Sequence, residues 1–124
     1  MLDFLNVPVR TALIPTTSYV VGTVVENAGQ YNQLNVLVQW VAGTATSCEV
    51  KVEFSFDGTT YFRETNATVA GGSSTLVVNE YTFTTAGNYE IKVPISARYI
   101  KISIKGTGTL TTSTVAVDAI LHTV

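Results

Sequence analysis

Between Ser47 and Phe56 the chain alternates apolar and polar residues at every step. Cys48, Val50, Val52, Phe54 and Phe56 interleave with Ser47, Glu49, Lys51, Glu53 and Ser55. Successive side chains of a β-strand point to opposite faces, so this run makes a ribbon with one oily side and one wet side. The same two-residue beat recurs in Leu34, Val36, Val38 and Trp40, in Tyr89, Ile91, Val93 and Ile95, and in Ile100, Ile102 and Ile104. Near the C-terminus Val115, Val117, Ala119 and Leu121 face inward, while Ala116, Asp118, Ile120 and His122 face outward. Strands are predicted near 18–26, 33–41, 47–56, 60–65, 75–84, 88–95, 98–105 and 113–123. Turn signals separate them: Asn27-Ala28-Gly29, Ala42-Gly43, Asp57-Gly58, Gly71-Gly72, Ala86-Gly87-Asn88 and Gly106-Thr107-Gly108. Asp57-Gly58 is the strongest hairpin signal among these. About eight short strands with no helical period predict an all-β antiparallel sandwich or jelly roll, with a closed barrel as the competing architecture.

Residues 1–17 read differently. Leu2, Phe4, Leu5, Val7, Val9, Leu13 and Ile14 are apolar, but Pro8 and Pro15 forbid a continuous helix and interrupt a central strand. The expectation is an extended N-terminal arm at 1–17 preceding a sandwich domain at 18–124. So much free apolar surface would aggregate, so the arm must lie over its own sandwich edge or against a neighbouring subunit. Those seven residues are the candidate assembly contacts. On the second alternative, deleting residues 1–15 would leave a soluble sandwich unable to attach to its partners.

The 124 residues suffice for one domain with a sizeable core. Charged residues make up only 13%, about half the usual share, and Thr, Ser, Asn and Gly replace them. A threonine-coated face is weakly hydrated and suits contact with other protein. The formal charge of -2 provides no global attraction to nucleic acid or anionic membrane. Arg98, Lys101 and Lys105 on one strand read as solvated outward residues. Met1 to Val9 carries Asp3 early, lacks a basic region and meets Pro8 before any long apolar run, so it does not read as a secretion signal. The expectation is a chain starting near Met1 and made in a cytoplasm. No apolar stretch approaches the roughly 20 residues of a membrane-spanning helix. Asn66 to Thr75, rich in Gly and Ser, reads as a flexible loop tip that contacts a partner. The sequon Asn66-Ala67-Thr68 within it is taken as chance.

Catalytic chemistry is not recognisable. The single histidine, His122, shares a face with Asp118, but residues i and i+4 on a strand lie about 13 Å apart. One Cys and one His make no metal cluster, and Cys48 is in phase with Val50 and Val52 as a small buried hydrophobe. Glu49 and Glu53 alternate with Lys51 as an ordinary solvated face would. No glycine run opens a helix, so there is no phosphate loop. No enzyme activity, cofactor or metal is expected. The aromatics Tyr19, Tyr31, Tyr61, Phe62, Tyr81, Tyr89 and Tyr99 suit strand faces and interfaces, and Tyr31 and Tyr61 are the candidate loop or ligand residues.

Two segments carry a resemblance. Val50 to Tyr61, with Ser55-Phe56-Asp57-Gly58 at its turn, is similar to the hairpin of discoidin-like (galactose-binding-like) jelly rolls. Ala97-Arg98-Tyr99-Ile100-Lys101-Ile102 resembles a strand of the same families. Both mark a fold, and the sugar-binding residues of those modules do not carry over to this chain. The whole pattern resembles small virion proteins of tailed bacteriophages, through its apolar, Pro-containing N-terminus, the segment Thr23-Val24-Val25-Glu26-Asn27-Ala28-Gly29-Gln30-Tyr31-Asn32 and the Thr-rich sandwich. That resemblance implies a structural protein of the particle, either decorating the capsid or forming part of the neck or tail. The implied partners are further copies of the chain and virion proteins such as the major capsid protein, and the implied location is the virion. The rival expectation is a carbohydrate-binding module using Tyr31 or Tyr61. A surface-layer or adhesin domain is a third.

Overall fold

The computed structural model describes residues 4–95 and 97–124. The described residues form β1 (Phe4–Leu13), β2 (Val20–Val21), a 3-10 turn (Ala28–Gln30), β3 (Gln33–Val41), β4 (Ala45–Ser55), β5 (Phe62–Arg63), β6 (Thr65–Ala70), β7 (Ser73–Val78), β8 (Tyr81–Phe83), β9 (Gly87–Pro94), β10 (Tyr99–Gly108) and β11 (Thr114–His122). The first sheet runs β1-β11-β3-β9 and the second β2-β10-β4, with β5 and β8 both pairing along the far side of β4. β6 and β7 make a separate two-stranded ribbon. Every pairing is antiparallel.

Alternation decides what is buried. Val115, Val117, Ala119 and Leu121 of β11 meet Trp40, Val38, Val36 and Leu34 of β3 in direct register, and all eight are buried. The second sheet opposes them with Val50 and Val52 of β4 beside Ile104 and Ile102 of β10. Each such side chain contributes about 1.5–3 kcal/mol relative to exposure. Trp40 donates its indole N–H to Ser113 Oγ at 3.1 Å, which satisfies the one polar atom that burial would otherwise strand. The all-β antiparallel sandwich is therefore the observed architecture.

Several elements differ from their expected bounds. Within 18–26 only Val20–Val21 forms a strand, followed by a single bridge from Val25 to Ile100. The run 75–84 breaks into β7 and β8, because Asn79 N–H turns to the carbonyl of Glu64 at 2.9 Å. Asn66 to Thr75, expected as a loop, is strand, turn and strand. β4 ends at Ser55, so Phe56 leaves the core face and is 63% exposed. There Asp57 Oδ1 accepts from the backbone N–H groups of Thr59 and Thr60, both at 2.8 Å, and Ser55 Oγ accepts from Gly58 N–H at 2.9 Å. The ring of Tyr99 packs beneath Gly58, and Tyr99 pairs with Ser55, so the two segments carrying the jelly-roll resemblance meet in space.

The leader is extended, but for residues 4–13 the division into arm and body is not the one the fold makes. β1 pairs with β11 of the same chain as the edge strand of the first sheet, and Val9 is buried in the core. Pro8 is tolerated because an edge strand has a side with no ladder to supply. The register slips between Pro8 and Arg10, and Arg10 fixes the bulged end by donating to the carbonyls of Val115 (3.1 Å), Leu13 (3.2 Å) and Ile14 (3.1 Å). The chain then crosses to the second sheet, where Thr23 N–H donates to Val9 O at 2.9 Å. A side chain at Gly22 would sit 2.4 Å from Val9 Cγ1, so the crossing requires glycine.

Candidate assembly surface

The β6–β7 ribbon carries the most unusual surface of the molecule. Gly71 and Gly72 have φ of +59° and +82°, the pair of left-handed residues that a tight two-residue hairpin turn demands. Thr65 pairs with Val78, Ala67 with Leu76 and Val69 with Ser74, which sets Ala67, Val69, Leu76 and Val78 on one face. Asn66, Thr68, Ala70, Ser73, Thr75 and Val77 occupy the other. All twelve strand residues are exposed, with Val69 at 69% and Leu76 at 70%. Between Glu64 and Glu80 the sequence contains no charged residue. Edge strands normally carry lysine, proline or another guard against pairing, and both edges here lack one.

The ribbon is rooted firmly. Besides the bond from Asn79 to Glu64, Arg63 Nη2 donates to the carbonyl of Asn79 at 3.2 Å and Asn66 Nδ2 donates to Asn79 Oδ1 at 2.6 Å. Tyr81 donates its hydroxyl to Glu64 at 2.7 Å; burial first, then that bond and the carboxylate charge, push the phenol up to about 12. Next to this root, the open side of the sandwich between β9 and β5 forms a depression of about 390 Å³. Phe54, Phe56, Phe62, Val93 and Pro94 line it, with Arg63 and Glu64 at the hairpin root, and Phe62 is 60% exposed. The ribbon does not cover this groove in its own chain, since both surfaces are open.

The leader residues divide. Leu5, Val7 and Val9 stand opposite or beside the inward row of β11, and Val9 alone is fully buried. Phe4 lies outward, stacked on His122 at 5.6 Å between ring centres. Leu13 and Ile14 are exposed, and Leu13 with Val20 and Val21 makes a second apolar patch between β1 and β2. Leu2 lies outside the described residues. Tyr61 is half-buried, with Lys101 Nζ 4.0 Å from its ring centre, so one ring face is already occupied. Tyr31 ends the 3-10 turn, packs against the core and lines a depression of about 290 Å³ with Phe56, Ile95, Ala97 and Arg98.

On the outer face of the second sheet the structure corrects one expectation. Glu49 is not solvated. It is 7% exposed, and Oε1 accepts from Ser47 Oγ and, at 3.1 Å, from Thr107 Oγ1. Tyr19 lies over this face with Lys51 and Lys105 each 4.7 Å from its ring centre, and its hydroxyl donates to Glu80. Burial and the Glu80 carboxylate raise the Tyr19 phenol. His122 Nε2 is 3.3 Å from Asn35 Oδ1 rather than near Asp118.

Sequence reasoning missed the ribbon face and the aromatic groove. The signal was present as alternation of Ala67 with Val69 and of Leu76 with Val78 about a Gly-Gly turn, diluted by small residues.

No family model and no curated protein matches the chain. The solved structures that share its fold include the following two. The SPBc2 prophage-derived protein YomS is 23% identical with a TM-score of 0.52, the match covering 99% of this chain and 96% of that one. A structure from the Bacillus endospore appendages that form disulfide-linked pili is 14% identical with a TM-score of 0.52, covering 100% and 91%. At these identities the likeness extends to the fold and no further.

Proposed function

We propose that this chain is a structural protein of a bacteriophage particle, of the capsid-decoration or auxiliary type, that works by binding copies of itself and the major capsid protein. The observation that carries the reading is the uncharged, firmly rooted ribbon, whose apolar face is exposed beside an open aromatic groove. Such a surface is an aggregation hazard on a free monomer and an asset in an assembly. A prophage-derived protein and a pilus-forming appendage use the same fold, which supports an assembling role. Cys48 is the single cysteine and is buried, so copies of this chain join by non-covalent contact. A place in the neck or tail fits the same surfaces. The role needs no reaction, cofactor, nucleic acid or membrane, and its location is the virion after synthesis in the host cytoplasm.

The test is mass spectrometry and immunogold labelling of washed phage particles. Many copies per particle are expected, and absence from particles made by cells that express the chain overturns the reading. A glycan-binding role is the second reading, favoured by the depression that Tyr31 shares with Phe56 and Arg98. Saturable binding on a glycan array distinguishes it.

A further inference from the structure

We infer that the chain forms a two-fold dimer by reciprocal exchange, each copy laying the apolar face of its β6–β7 ribbon over the Phe56–Phe62–Pro94 groove of the other. The inference rests on the reading of this chain as an assembling protein and names its first partner as a second copy of itself.

An isolated two-stranded ribbon is marginal in water, and this one receives no cover from its own body. Its exposed row of Ala67, Val69, Leu76 and Val78 matches in character a groove whose floor is Phe54, Phe62 and Val93. Charge is compatible with this, because the uncharged ribbon brings no ion of its own to a trough whose charged lining is confined to Arg63 and Glu64 at the hairpin root.

Position allows a two-fold arrangement. The ribbon leaves the body directly after β5, and Phe62 of β5 lines the groove, so donor and acceptor adjoin. Adjoining complementary patches can form one self-complementary surface, in which each copy gives and receives the same element. Area agrees. Six residues per strand at about 3.4 Å, two strands wide, present roughly 200 Å² of flat face. One ribbon on one groove falls well short of a specific interface. Reciprocal exchange doubles the contact and, once side-chain relief is counted, approaches the lower bound of about 1,000 Å². The dimer is accordingly weak in isolation and is reinforced by repetition on a lattice.

Sedimentation velocity on the full chain over a concentration series tests this, using Leu76→Asp on the apolar ribbon face and Phe62→Ser in the groove. Thr68→Asp on the polar ribbon face and Leu13→Asp in the patch between β1 and β2 serve as controls. Circular dichroism melts verify that each variant is folded. A concentration-dependent dimer weakened at least about tenfold by Leu76→Asp and by Phe62→Ser, and unchanged by both controls, is the expected result. A wild-type monomer at every concentration overturns the inference, as does a dimer indifferent to either of the first two changes. Loss of assembly in Leu13→Asp with Phe62→Ser unaffected moves the contact to the patch between β1 and β2 and overturns it equally. None of these failures removes the chain from the particle, which the mass spectrometry of virions decides separately.

Discussion

Cys48 shows how one position can be chemically silenced by its place in a strand. Its side chain points into the sandwich from β4, opposite Gly106 of β10 and Phe83 of β8. Burial pushes the thiol up to about 12, the neighbouring Glu49 charge adds to the rise, and Arg10 opposes it. A free thiol titrates near 8.5, so the folded state holds its proton more tightly than the unfolded chain. The sign follows: this stabilisation is complete below about pH 8.5 and is lost as pH climbs toward the folded value. Only the thiolate attacks a disulfide reagent. The native chain at about pH 8 should therefore leave an aromatic disulfide reagent unconsumed for hours, then release one equivalent of thiol on adding denaturant. Immediate stoichiometric labelling of the folded chain would show that the β4 core face opens to solvent.

At the level of elements, the two pieces flanking the body make opposite demands. β1 completes the first sheet and places Val9 among the core residues, so removing residues 1–13 uncovers the β11 edge and the core beneath it. That truncation should lose at least about 3 kcal/mol in urea denaturation, rather than yield the intact sandwich that a detached arm would leave behind. Replacing residues 65–78 by a Gly-Gly link should cost less than about 1 kcal/mol, since the ribbon buries nothing on the body and Asn79 already bonds to Glu64 at 2.9 Å. Equal losses from both deletions would mean that the ribbon packs on its own sandwich. Legibility of the sequence tracks the same physics. β3 and β11 were readable because strict alternation of large aliphatics is what a one-sided sheet requires. β1 reads as an arm because Pro8 argues against a central strand, and only the pairing with β11 shows that the strand is an edge. β6 reads as loop because Thr, Asn and Ala carry little hydrophobic signal on either face. Glu49 looks solvated because its hydrogen-bond partner Thr107 arrives from β10, and no local pattern records that.

Over the whole molecule, the scarcity of charge determines what kind of force can hold copies together. There are seven basic and nine acidic residues, and several are already engaged within the chain. Lys51 pairs with Glu53 at 3.5 Å, Lys92 with Glu90 at 3.6 Å, and Lys101 and Lys105 lie over tyrosine rings. Two copies that meet through Val69, Leu76 and Phe62 set an uncharged ribbon against a groove whose charged lining is confined to Arg63 and Glu64, so apolar burial holds the contact. Raising salt from about 0.05 to 0.5 M shrinks the screening length from roughly 14 Å to 4 Å, which would weaken an ionic interface by an order of magnitude or more and leaves an apolar one almost untouched. Cooling acts the other way, because apolar association loses its driving force as temperature falls. The dimer constant from sedimentation should thus be flat across that salt range and weaken between about 25 °C and 4 °C. A steep loss with salt would move the contact to the charged outer face of the second sheet, where Lys51, Glu53, Lys101 and Lys105 reside, and would leave the ribbon face to some other protein of the particle.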